Sequence, residues 1–229
     1  MKKRASKASD KQPAATESEI LRPPPGVHFP VVGIGASAGG IEAIIGLLSE
    51  LSPTLGMAYV IVQHLSPDHN SILPELLEKR TSMPVHQVTD GVKIEPNNVY
   101  VIPQATYMTI VDGHLALSKR FKSEARIPVI DHFLETLATV YKHMAIAVIL
   151  SGTGSDGTAG VQAIKVHGGI TFAQDDSALF RGMARNAYES GYVDFVMPPA
   201  LIAKELGTFA SHDYTRFGTL DIVESNKGK

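Results

Sequence analysis

Short, largely apolar runs recur along this chain, and longer amphipathic stretches separate them. Val31–Gly35, Ala58–Val62, Val99–Ile102, Ala145–Leu150, Ile170–Ala173 and Val193–Val196 lack the polar alternation of a strand with one wet face. They read as strands covered on both sides. Between them, Gly39–Leu51, Asn70–Arg80, Ile130–Tyr141, Thr158–Val166, Phe180–Ser190 and Pro199–Leu206 carry helical spacing, and Ser66-Pro67-Asp68 supplies a start signal for the second. Tyr107–Val111 and Leu115–Leu117 flank Asp112-Gly113, a hairpin turn signal. Buried strands alternating with helices predict an α/β fold: a doubly wound, mostly parallel sheet with helices on both faces and a small antiparallel hairpin, in a single domain. Sites in such sheets lie at the carboxyl ends of the strands. Ser37, His64 and Asp156 fall just past three of those ends.

Composition bounds the rest. The chain has 229 residues, 44% of them hydrophobic, a net charge of −2 and no cysteine. Disulfides and thiol catalysis are excluded, and a reducing cytoplasm is the expected location. The balanced charge gives no electrostatic reason to bind nucleic acid, and no apolar run is long enough for membrane insertion. Residues 1–27 are rich in lysine, serine, alanine and proline and read as a disordered tail. Residues 28–206 form the expected folded domain. From 207 to 229 the apolar pattern fades into a C-terminal extension.

The first strand runs into Gly35-Ala36-Ser37-Ala38-Gly39, a G-x-S-x-G arrangement that places a serine hydroxyl between a strand end and a helix start. Three readings fit. Ser37 is the nucleophile of an elbow, given a base and an orienting acid elsewhere. Alternatively it caps the following helix. The third is that Gly33-x-Gly35-x-x-Ala38 seats a dinucleotide pyrophosphate, although the second strand ends in Gln63-His64 and not in the expected acid.

His64 is a base candidate, or else a satisfied polar residue at a strand end. With Asp68 and His69 it also forms a sparse metal-ligand candidate, without a further ligand at recognised spacing. Asp156, in Ser151-Gly152-Thr153-Gly154-Ser155-Asp156-Gly157, is either the acid that orients an imidazole or an N-cap of the next helix, a role Ser155 fits equally. The glycines bring main-chain amides, such as that of Thr153, within reach of an oxyanion.

The blocks VVGIGASAGGIEAI, YVIVQHLSPDHNSILPELL, VYVIP, AVILSGTGSDGTAGVQAIK, GGITFAQD and GMARNAYESGYVDFVMPP, in unbroken order from Pro30 to Leu206, resemble the catalytic domain of CheB-type chemotaxis methylesterases. The resemblance implies hydrolysis of glutamate γ-methyl esters on methyl-accepting receptors, with glutamine deamidation in some members. It implies a Ser37–His64–Asp156 triad in that chain order, oxyanion donors at Ala38 and Thr153, and neither cofactor nor metal. Family members commonly carry threonine at position 38 and methionine at position 153, and here the amides alone remain. Arg185, in a block that often reads GMPR, either lines the substrate cleft or pairs on the surface. Twenty-seven residues cannot hold the receiver domain of regulated members, so control is expected from a regulatory partner or a fused neighbour. The wording of SGTGSDGT and QHLSPDHNS is nearest to methylesterase domains fused ahead of a methyltransferase.

Overall fold

Strand β1 (Val31–Ala36) is fully buried and lies at the middle of a seven-stranded sheet, as a run without polar residues requires. The computed structural model describes residues 27–63, 72–120 and 127–211. Helix α1 (Gly40–Leu48) follows β1, then β2 (Ala58–Gln63), α2 (Leu73–Glu78) and the short strands β3 (Val85–Gln87), β4 (Val92–Lys93) and β5 (Val99–Val101). The hairpin β6 (Thr106–Val111) and β7 (His114–Lys119) comes next, then α3 (Val129–Tyr141), β8 (Ala145–Ile149), α4 (Thr158–Val166), β9 (Ile170–Gln174), α5 (Gly182–Glu189), β10 (Phe195–Met197) and α6 (Pro199–Ser211).

The large sheet has the order β10-β9-β8-β1-β2-β5-β3, and every neighbouring pair is parallel. The chain winds outward from β1 through β2, then returns to β8 on the other side of β1 and winds out again. The reversal leaves a crevice between the carboxyl ends of β1 and β8. Residues facing alternately feed two cores. Val32 and Ile34 pack with α1, α2 and α6, whereas Val31 packs with α3, α4, α5 and the hairpin.

Helix α3 sits very close to β1. A methyl group on Gly33 would lie 2.6 Å from Leu134 Cδ2, and one on Gly35 would lie 2.5 Å from Ile130 Cγ2. These two glycines make room for a helix.

Several boundaries differ from expectation, each for a physical reason. Strands β3 and β4 were too short and too exposed to show in the pattern, with Pro84 just ahead of β3. β4 joins the hairpin in a three-stranded antiparallel sheet, whose turn takes positive φ at Asp112 (48°) and Gly113 (74°). The last strand begins at Phe195, not Val193. Asp194 is held in the preceding bend, its amide 3.1 Å from the Thr171 carbonyl and its Oδ2 accepting from the Thr171 amide at 3.0 Å. Helix α6 runs on to Ser211 because Phe209 stacks edge-on against Phe172 and Phe195, with centroids 6.1 and 5.9 Å apart. Among the described residues no helix is long and apolar enough to cross a membrane.

Candidate active site

Ser37 leaves the end of β1 at the crevice. Its amide donates to the Ser151 carbonyl at 2.9 Å, and its own carbonyl accepts from Gly40 N at 2.9 Å, closing the turn. The N-cap of α1 is Gly39, in the left-handed region (φ 66°, ψ 12°), with no side-chain cap. The N-cap position thus falls on Gly39 and not on Ser37: the bend is taken up at the glycine, and the serine keeps an ordinary backbone. Space is short on both sides of this turn. A methyl at Gly40 would meet Ala36 Cβ at 2.7 Å, and one at Gly39 would meet Ser151 Oγ at 2.9 Å.

The dinucleotide reading loses its basis too. Gly33 and Gly35 are paired inside β1 and are consumed by α3, so neither forms the turn that a pyrophosphate would approach.

Ser151, which no sequence motif singles out, ties the site together. It is fully buried. Its Oγ donates to the Ala38 carbonyl at 2.8 Å and accepts from the Phe180 amide at 3.0 Å, and its amide donates to Gln174 Oε1 at 2.9 Å. The chain beyond β1, β8 and β9 is thus joined at one residue, through its side chain to Ala38 and Phe180 and through its amide to Gln174. Its signal was the first residue of the glycine loop, overshadowed by Asp156.

The loop after β8 is pressed between Ser37 and α5. Gly152 donates to the Phe180 carbonyl and accepts from the Met183 amide, both at 2.9 Å. Gly182 packs where a methyl group would meet Gly154 N at 3.1 Å, and Asn186 Nδ2 donates to the Gly154 carbonyl at 2.8 Å. Among the described residues the Ala38 and Thr153 amides make no hydrogen bond within the protein.

Asp156 is buried, and its carboxylate does not cap its own helix, whose N-cap is Gly157. Nor does Ser155. Asp156 instead accepts from the first turn of α3: Oδ2 from the Ile130 amide at 3.1 Å and Oδ1 from the Asp131 amide at 2.9 Å. A helix N-terminus stabilises a carboxylate placed in this way. Asp131 returns the contact, its Oδ1 accepting from Gly157 N at 2.9 Å and Gly160 N at 2.8 Å. Burial pushes the Asp131 carboxyl above its ordinary value, and the Asp156 charge adds to this against the pull of the two amides.

His64, with Asp68 and His69, lies outside the described residues, so the metal-ligand candidate does too. Among the described residues no group of three or more His, Cys, Asp or Glu is arranged to hold a metal. His64 follows Gln63 in the chain, and Gln63 is the β2 partner of Ala36, the residue before Ser37.

Arg185 stands on the exposed face of α5 and donates through Nε to Glu189 Oε1 at 2.7 Å. It also lines a cleft of about 420 Å³ with Gln174, Arg181, Tyr188 and Val196. Of the two expectations for this arginine, the surface pair is formed.

The chain matches the CheB methylesterase family over residues 32–206. It is 35% identical over 178 residues to protein-glutamate methylesterase/protein-glutamine glutaminase 3 of Paramagnetospirillum magneticum, covering 77% of this chain and 50% of that protein. An uncharacterised 104.1 kDa protein of Rhodobacter capsulatus is 42% identical over 123 residues, which make up 53% of this chain and 13% of that protein. The crystal structure of the Thermotoga maritima CheB methylesterase catalytic domain superposes with a TM-score of 0.73 at 30% identity, over 80% of this chain and all of that one. The chain spans about half the length of the methylesterases it matches. By sequence and by fold, this chain belongs to the CheB methylesterase family.

Proposed function

We propose that residues 28–206 are a serine esterase domain that hydrolyses glutamate γ-methyl esters on methyl-accepting receptor proteins in chemotaxis-type adaptation. Ser37 Oγ attacks the γ-carbonyl while His64 takes its proton, and the oxyanion is held by the Ala38 and Thr153 amides. Collapse expels methanol, which receives the proton from His64. Water, deprotonated by His64, then attacks the acyl-serine, releasing glutamate and restoring Ser37. Asp156 orients the imidazole throughout. The same steps with ammonia as leaving group deamidate glutamine, in line with the second activity in the names of the relatives.

The observation that supports this reading is the joining of the Ser37 turn to the Ser151–Asp156 loop, through the Ser37 amide on the Ser151 carbonyl and the close packing of Gly152 on Ser37. The reaction needs no metal or cofactor, and the domain is proposed to act in the cytoplasm. The match to a small part of a 104.1 kDa protein supports the use of such domains within longer chains. Residues 1–27 and 207–229 are read as flanks of the domain. A methyltransferase, fused or separate, and a regulatory partner complete the proposal.

The test is methanol release from a methylated receptor, alongside labelling by a serine-directed phosphonate. Release together with labelling of Ser37 supports the esterase. A folded protein that binds receptor but neither releases methanol nor takes the label is a non-catalytic signalling module.

A further inference from the structure

Asp131 has no part in the chemistry described above, yet it makes three hydrogen bonds to the segment around Asp156. Its amide donates to Asp156 Oδ1 at 2.9 Å. Its side-chain Oδ1 accepts from the amide of the next residue, Gly157, at 2.9 Å, and from Gly160 at 2.8 Å. A further bond, from Ile130 to Asp156 Oδ2 at 3.1 Å, comes from its neighbour in the chain. The Asp156 carboxylate is thus gripped from the front by two successive amides of α3, those of Ile130 and Asp131, while the backbone that follows it, at Gly157 N, is gripped from behind by the Asp131 side chain.

We infer that Asp131 is a positioning residue for the reaction: it sets where the Asp156 carboxylate stands, and through it the orientation of the base. The inference rests on the proposed role of Asp156. Two short helices at a fixed separation would not by themselves define the carboxylate. Its plane is set by the two amides, and its distance from β8 by the hold on Gly157. The space behind the loop leaves little slack. A methyl on Gly157 would lie 2.6 Å from Ile149 Cδ1, and one on Gly160 would lie 2.7 Å from Leu134 Cβ. Both accepted bonds of Asp131 fall on a single oxygen, so an amide carbonyl at that place does the same work without the charge.

The test compares Asp131→Ala, Asp131→Asn and Asp131→Glu with the parent and with Ser37→Ala, following methanol release from a peptide carrying a glutamate γ-methyl ester. Misplacement of a reacting group by about 1 Å costs up to roughly a hundredfold in rate. The Ala variant is therefore expected to lose at least about tenfold in kcat with KM unchanged. The Asn variant, which keeps the acceptor, is expected to restore kcat to within about threefold. Where the Ala variant does not fold, Glu takes its place, since it keeps the charge but moves the acceptor by one carbon, and the same loss in kcat is expected. A folded Ala variant, or failing that a Glu variant, with parental kcat overturns the inference. So does a loss confined to KM, or an Asn variant as slow as Ala. Activity surviving in Ser37→Ala overturns the proposed function itself and the inference with it, whereas an inactive Ser37→Ala beside a fully active Ala variant overturns the inference alone.

Discussion

Replacing Gly152 with alanine adds one methyl group at the most crowded point of the site. The new carbon would lie 2.1 Å from Met183 Sδ, 3.0 Å from Met183 Cγ and 3.0 Å from Ser37 Cβ. Favourable contacts between such atoms need about 3.5–4.0 Å, so something must give by more than about 1 Å. Met183 has little freedom to do so. It is fully buried, and its amide is anchored to the Gly152 carbonyl at 2.9 Å. Overpacking of this kind costs about 1–3 kcal/mol. In a domain of this size, 2 kcal/mol lowers the melting temperature by roughly 4–8 °C. Part of the displacement falls on Ser37, and a shift of about 1 Å there removes up to a hundredfold in kcat. Thermal unfolding and methanol release, measured on the same Gly152→Ala preparation below its transition, give both numbers. A parental melting temperature with a parental rate would refute the reasoning, because it would mean that the loop and Ser37 are not in contact.

Three further outcomes are expected. Ser37→Ala and His64→Ala each abolish methanol release with the fold intact by circular dichroism, and the double variant is scarcely slower than either, since triad members act as a unit. Asp131→Asn gains stability relative to the parent as pH rises. The folded-state pKa of Asp131 lies above its ordinary value, so its stabilising contribution is complete in acid and is lost as pH climbs through the carboxylate range. Urea unfolding at a series of pH values checks this, and a parallel pair of curves would contradict it. Arg185→Ala leaves the melting temperature unchanged, because its pair with Glu189 is open to solvent, but raises KM if substrate enters the cleft beside α5. Parental KM would confine Arg185 to the surface pair.

The strands and helices of the large sheet were legible because both of its faces are dry, so that each strand announces itself as an apolar run. The Asp112-Gly113 turn was legible for a local reason, two successive positive φ values. β3 and β4 were not, since a strand of two or three exposed residues leaves no period to read. The end of α6 is not legible locally, because Phe209 is held by Phe172 and Phe195, which lie far from it in the chain. In the site, the place of Ser37 followed from the strand–turn–helix pattern. The meaning of the glycines around it did not. Gly33 and Gly35 look like a phosphate-binding signature and serve helix packing instead, a difference set by Ile130 and Leu134 about a hundred residues away. Ser151 and Asp131 were silent for the same reason: their partners belong to other strands and helices.

The crevice at the β1–β8 reversal also bears on how the protein comes to be active. Its walls come from chain segments around Ser37, Ser151, Asp156 and Phe180, and the bonds that join them span 113 residues between Ala38 and Ser151, 29 between Ser151 and Phe180, and 25 between Asp131 and Asp156. Contacts of such sequence separation form late, after the entropy of closing large loops has been met. A nascent chain that has emerged only through α3 has its serine exposed but no surroundings to activate it. On the proposed function, hydrolytic competence arrives only with the later strands of the sheet, so methanol release doubles as a readout of completed folding.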